Sequence, residues 1–367
     1  MSTIKTVNGL DVPHIDISAE LIVNSTIVLY GGPKNGKTVA ILDLLYIIKD
    51  EVPNIIVVSP TNDSNKSYSD IVPSPLIHKT ISGNSDSKGK KESHKFLAKI
   101  IERQEYITSI YNITNDLKTL KAVGLLLSKK TKSECDICIK KLNKYVEECN
   151  NKLKEEYTED EYDTQLEKLT ELTKGQLIKI FRTFIKKDRE YLMNLNLNEK
   201  QQTLVNYIDI NPRIVLVFDD CAAELKPHFK NEEFRKLFYN NRHSHITLII
   251  SCQDETDLDA NLRKSARLSI FAESGVFLTY IQRGGKFTKE HKAYATAITE
   301  LVFTGNRKMI YSKNGRNPKD LYHHTFSIHK SFKFGSEAIR ELCEVVANKE
   351  DTELDINNSF HKNFRLD

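Results

Sequence analysis

Residues Gly31-Gly32-Pro33-Lys34-Asn35-Gly36-Lys37-Thr38 match the pattern G-x-x-x-x-G-K-[ST] without a mismatch. Such a string acts as a phosphate loop only where a strand enters it and a helix leaves it. Both neighbours are expected here. Thr26–Tyr30 (TIVLY) is short, apolar and β-branched, and is bounded by Asn24-Ser25 and Gly31-Gly32, so it predicts a buried strand. Val39–Lys49 carries apolar residues all round the helical wheel and predicts a buried helix. In that setting each residue type has a task. Glycines let backbone N–H groups curl inward toward phosphate oxygens, and the helix N-terminus adds partial positive charge. The Lys37 ammonium suits β- and γ-phosphates, and the Thr38 hydroxyl suits Mg²⁺. The expected ligand is therefore a nucleoside triphosphate with Mg²⁺.

Further short apolar runs follow at Ile55–Val58, Ile214–Phe218, Ile246–Cys252 and Leu268–Ala272. Near-continuous apolar strands separated by helical segments predict a parallel sheet covered on both faces, an α/β fold. A helix over Thr288–Val302 and short strands over Lys308–Tyr311 and Tyr322–Ile328 are expected after it.

The run Arg213–Phe218 leads directly into Asp219-Asp220. An acid at the carboxyl end of a parallel strand stands where such folds bind ligands. Asp219 is expected to hold Mg²⁺, and Asp220 to polarise the attacking water. Asp220 could instead cap a helix beginning near Ala222. Ile246–Cys252 ends in Gln253, which would lie between the two phosphate motifs if its strand lies between theirs. It could then sense the γ-phosphate, or be an ordinary polar strand end. Arg242, in Asn240-Asn241-Arg242-His243, and Arg263, in Leu262-Arg263-Lys264-Ser265-Ala266-Arg267, are candidates for an arginine supplied to a neighbouring subunit's site. Each could equally be a surface arginine.

The strings GGPKNGKT, VFDD, NNRHSHITLIISCQ and LRKSARLSIF together resemble the genome-packaging ATPases of nucleocytoplasmic large DNA viruses, the poxvirus-type branch of the FtsK/HerA superfamily. The resemblance covers about residues 22–60 and 213–271. It implies a RecA-like P-loop NTPase with a mainly parallel sheet, in which an added strand lies between the two nucleotide motifs. It implies that the nucleotide is ATP, its hydrolysis coupled to moving double-stranded DNA into a capsid, in a homo-oligomeric ring that meets a capsid or portal-like protein. Carried over by position, Lys37, Thr38, Asp219, Asp220 and Gln253 take the roles above. Asp220 stands where many such ATPases have Glu, one methylene longer.

Between the second and third of these strands the chain becomes Lys/Glu/Leu-rich with helical periodicity, and it is interrupted by little Gly or Pro. This predicts a helical insertion. The expected division is an ATPase domain over residues 1–84 and 206–340, an insertion over 85–205 and an acidic C-terminal segment over 341–367. The stretch from Arg283 to Lys333 is basic, with Lys286, Lys289, Lys292, Arg307, Lys308, Lys313, Arg316, Lys319 and Lys330 between. It is where sequence-independent DNA contacts are expected. Nearby aromatics (Tyr280, Tyr294, Tyr311, Phe332, Phe334) are expected in the core.

The chain of 367 residues carries 54 basic and 50 acidic side chains, a net charge of +4. That balance permits a nucleic-acid partner without demanding one. No apolar run approaches the ~20 residues of a membrane span, and six scattered cysteines do not form a disulfide framework. An intracellular protein is expected, and the resemblance implies the host-cell cytoplasm or the viral assembly site, with association with the virion as an alternative. Two other functions fit the same motifs: a helicase or DNA pump of another mobile element, and a nucleotide-binding scaffold with little turnover.

Overall fold

A computed structural model describes residues 3–5, 11–81, 92–156, 172–285, 287–313 and 320–347. The run Ile81–Lys91, whose Ser, Gly and Lys content predicts a loop, lies outside these residues apart from Ile81. So do Lys286, Arg316 and Lys319 of the basic stretch, and the chain from residue 348 onward.

The ten strands are β1 (Thr3–Lys5), β2 (Asp11–Pro13), β3 (Thr26–Tyr30), β4 (Asn54–Val58), β5 (Ile77–His78), β6 (Ile214–Phe218), β7 (Ile246–Cys252), β8 (Leu268–Phe271), β9 (Arg307–Ser312) and β10 (Leu321–Thr325). β1 and β2 pair antiparallel; the others form one sheet in the order β10-β9-β8-β3-β7-β6-β4-β5. From β8 to β5 every pairing is parallel, whereas β9 and β10 add to the β8 edge antiparallel. The fold is a mainly parallel α/β P-loop NTPase. β7 lies between the strand that enters the phosphate loop and the strand that ends in Asp219-Asp220.

Every residue of β3, β6 and β7 is buried. Because successive side chains alternate faces, the apolar runs feed two cores. Val28, Tyr30, Leu216, Phe218, Leu248 and Ile250 face one core, with Phe234, Phe277, Tyr280 and Ile298 from covering helices. Ile27, Leu29, Val215, Val217 and Ile249 face the other, with Ile41, Leu44 and Leu45 of the Lys37–Ile48 helix. A one-residue slip in register would exchange the two faces.

The chain divides into two compact units, Met1–Gln104 with Arg213–Asp367, and Glu105–Pro212. Composition had suggested boundaries at 85 and 205. The difference at the first boundary has a physical cause. The Glu92–Thr114 helix begins in the sheet unit, where its Phe96, Leu97, Ile100 and Ile101 are buried in the core. The second unit is helical, with its own core of Leu120, Val123, Leu127, Ile185, Leu192, Leu204, Val205 and Ile208. Two of its helices start with reciprocal capping boxes, Thr173 with Gln176 and Asn198 with Gln201. At the other end of the sheet unit, the Glu337–Ala347 helix buries Cys343 and Val346, so packed structure continues past residue 340.

Candidate nucleotide site

The phosphate loop leaves β3 at the carboxyl edge of the sheet and turns into the Lys37–Ile48 helix. Two glycines are required by geometry. Gly31 has φ 150, and a Cβ there would meet the Ala272 Cβ at 3.0 Å. Gly36, at the helix N-cap, is left-handed with φ 78. Between them, Lys34 also has a positive φ, of 64. Lys37 is 9% exposed, and its Nζ donates to the carbonyls of Gly31 and Gly32, the latter at 2.8 Å. Burial lowers the Lys37 pKa, against the nearby negative charges of Asp219 and Asp220.

Asp219, at the end of β6, is 3% exposed. The Thr38 Oγ1 lies 3.4 Å from its Oδ2, so the hydroxyl and the carboxylate converge on one spot. Burial raises the Asp219 pKa, while a hydrogen bond from the Tyr68 hydroxyl, 2.8 Å from Oδ2, pulls it down. One acid and one hydroxyl fit Mg²⁺, which keeps several waters and takes its other ligands from substrate phosphates. Among the described residues no group of three or more His, Cys, Asp or Glu could hold a metal ion without such help.

Asp220 is exposed and left-handed, with φ 56. It does not cap the following helix, Ala222–Leu225, whose N-cap is Cys221 without a side-chain cap bond. Its Oδ1 instead accepts from Gln253 Nε2 at 3.3 Å. Gln253 is oriented in turn: its backbone N–H donates to Asp257 at 2.9 Å. Lys37, Thr38, Asp219, Asp220 and Gln253 are thus brought to one edge of three adjacent strands.

The two candidate arginines differ in place. Arg242 is exposed in the turn that precedes β7, at the opposite edge of the sheet from Gln253. Seven residues of strand, ~20 Å, separate it from its own chain's site. Arg263 is half-buried beside a cavity of ≈ 540 Å³, with Glu255, Tyr280, Arg283 and Phe287 on the cavity wall.

Three residues at this edge carry no local sequence signal. Tyr68 comes from the irregular segment after β4 and is completely buried. Glu273, just beyond β8, accepts from Gly32 N at 2.9 Å and from Asn35 Nδ2 at 2.5 Å. Lys308, on β9, donates to Asn35 O at 2.9 Å and is 6% exposed. Its place among expected DNA contacts is therefore corrected: the ammonium is spent beneath the phosphate loop. Other basic residues are also engaged internally, Arg283 with the buried Glu255 at 2.7 Å and Lys333 with Asp70 O at 3.1 Å. Tyr280, Tyr294, Tyr311 and Phe334 are buried, as expected of core aromatics.

No protein-family model matches the chain. The uncharacterized protein B354L of African swine fever virus (isolate Warthog/Namibia/Wart80/1980) is 36% identical over 364 residues, 98% of this chain and 98% of that protein. The chain belongs to the B354L family. B354L of the Tick/Malawi/Lil 20-1/1983 isolate is likewise 36% identical over 364 residues. The uncharacterized protein 075L of Invertebrate iridescent virus 6 is 28% identical over 165 residues, 39% of this B354L-family chain and 61% of that protein. Among solved structures, the genome packaging NTPase B204 from Sulfolobus turreted icosahedral virus 2 with ATP-gammaS covers 82% of this chain and 96% of its own, at 15% identity and a TM-score of 0.34. The plasmid coupling protein TrwB with GDPNP covers 90% and 91%, at 13% identity and a TM-score of 0.37.

Proposed function

We propose that this B354L-family chain is a Mg²⁺-dependent ATPase that drives double-stranded DNA, as a homo-oligomeric ring, into a viral capsid. The observation that carries the hydrolytic part is the convergence of Lys37, Thr38, Asp219, Asp220 and Gln253 on one edge. A bound Mg–triphosphate supplies an electrophilic γ-phosphorus and a good leaving group. Lys37 leaves its loop carbonyls and places its charge on the β- and γ-phosphate oxygens. Thr38 and Asp219 would hold the metal, which would draw charge off the phosphate oxygens. Asp220 accepts the proton of the attacking water, and Gln253, which already touches Asp220, keeps that water in line.

The DNA and capsid parts rest on the motif resemblance and on the viral relatives. Sequence-independent contacts would fall on phosphates and use the basic residues left at the surface, such as Lys289 and Lys330. The test is steady-state ATP turnover with and without duplex DNA, with Lys37→Ala as control. Stimulation by duplexes of any sequence, absent in the control, is expected. Turnover indifferent to DNA would leave an ATPase without a motor's coupling. Wild-type turnover in a folded Lys37→Ala chain would remove the site itself.

A further inference from the structure

The antiparallel edge of the sheet has a consequence for the nucleotide site. Parallel strands all end at the ligand edge, but β9 runs the other way, with Phe271 opposite Met309. It therefore brings the start of its strand, Arg307-Lys308, to the edge where β3 and β8 finish. There Lys308 Nζ donates to Asn35 O at 2.9 Å and to Gly305 O at 3.3 Å. A Cβ on Gly36 would stand 3.5 Å from that Nζ, so the ammonium lies directly against the helix N-cap. Glu273, from the end of β8, holds the same loop from another side, through Gly32 N and Asn35 Nδ2. Asn35 is thus fixed twice, by its backbone carbonyl and by its side chain, from two neighbouring strands.

Two cations, Lys37 and Lys308, are almost fully buried at the N-terminus of a helix, where the helix dipole is already positive. That arrangement is costly; the loop carbonyls and the carboxylates of Asp219, Asp220 and Glu273 offset part of the cost, and a bound polyanion would offset more. A lysine needed only to fill space could be replaced by an uncharged side chain at no such cost.

We propose that Glu273 and Lys308 are positioning residues of the nucleotide site, which clamp Asn35 so that the phosphate loop is held open for a nucleoside triphosphate, with Lys308 as a second buried cation beneath it. This rests on the nucleotide-binding reading above. A loop shaped before binding raises affinity for ground and transition states alike. Loss of the clamp therefore raises KM more than it lowers kcat.

The experiment titrates a fluorescent ATP analogue with Mg²⁺ into the full chain, its Lys37→Ala control, and the variants Lys308→Met, Lys308→Arg and Glu273→Ala. Each variant's melting temperature is recorded, and kcat and KM for ATP are measured alongside. Lys308→Met and Glu273→Ala are expected to weaken binding about tenfold each, the scale of one lost charge-assisted hydrogen bond. Their KM should rise about tenfold while kcat changes by less than about threefold. Lys308→Arg keeps the charge and should bind within about threefold of wild type. If Lys308→Met does not fold, Glu273→Ala decides, because Glu273 is only half-buried. Wild-type affinity in Lys308→Met and Glu273→Ala, with binding lost in Lys37→Ala, overturns the clamp and leaves the nucleotide reading standing. A lower melting temperature with unchanged affinity overturns it too and makes the pair a structural strut. Wild-type affinity in Lys37→Ala overturns both readings.

Discussion

The hydroxyl of Tyr68 lies 2.8 Å from the Oδ2 of Asp219, and both side chains are buried. A carboxylate taken out of water at the end of β6 needs compensation. The tyrosine supplies part of it from a segment more than a hundred residues away in the chain.

Tyr68→Phe removes that hydrogen bond and little volume. The Asp219 carboxyl, already raised by burial, should rise further, because the contact that lowered it is gone. The variant should need about tenfold more Mg²⁺ for half-maximal turnover, the scale of one hydrogen bond to a charged group. A titration of ATP turnover against Mg²⁺ checks this. An unchanged midpoint would make Tyr68 a packing residue only.

Asp220→Asn should separate binding from hydrolysis. Lys37, Thr38 and Asp219 are untouched, so nucleotide should still bind, while turnover falls by roughly 10²–10⁴-fold with the general base. Gln253 donates to this same carboxylate, so the two should act as a unit. The double variant with Gln253→Ala should be little slower than Asp220→Asn alone. Additive losses would separate their roles.

Nucleotide affinity should fall on the alkaline side sooner than an ordinary lysine would allow. Burial lowers the pKa values of Lys37 and Lys308 from 10.5. The triphosphate favours the charged forms, so affinity is full below the lowered values. Above them binding must take up protons, and it weakens by about tenfold per pH unit for each proton taken up. Titrations between neutral pH and the onset of alkaline unfolding measure this. Constant affinity up to the onset of alkaline unfolding would contradict it.

Arg242 lies too far from its own chain's site to act there, so any catalytic role must be in trans. Mixtures of Arg242→Ala and Lys37→Ala subunits, each poorly active alone, should recover turnover, because one supplies the arginine and the other the intact phosphate loop. No recovery in mixed oligomers shown to form would return Arg242 to the surface.

Neutralising exposed lysines of the basic stretch, Lys289 and Lys330 together, should lower duplex affinity and flatten its salt dependence by about one unit per lost phosphate contact. Basal turnover should be kept and DNA stimulation reduced. An unchanged salt slope would place the DNA contacts elsewhere.

The amino-acid sequence by itself determined what short-range patterns can determine. β6 and β7 occupy Ile214–Phe218 and Ile246–Cys252, the spans their apolar runs outline, and the phosphate loop sits between a strand and a helix. These follow from periodicity, β-branching and glycine, which act within a few residues. The convergence of Thr38 with Asp219 was also legible, because ends of parallel strands share one edge. Tertiary structure alone decided the rest. Reversal of β9 carried Lys308 away from the DNA contacts expected of the basic stretch and under the loop. The packing of residues 62–72 delivered Tyr68 to Asp219. None of these partners leaves a local trace. A lysine in a basic stretch and a tyrosine in a loop look the same in sequence whether they meet solvent or a buried charge, since only the long-range pairing of strands sets what stands opposite them.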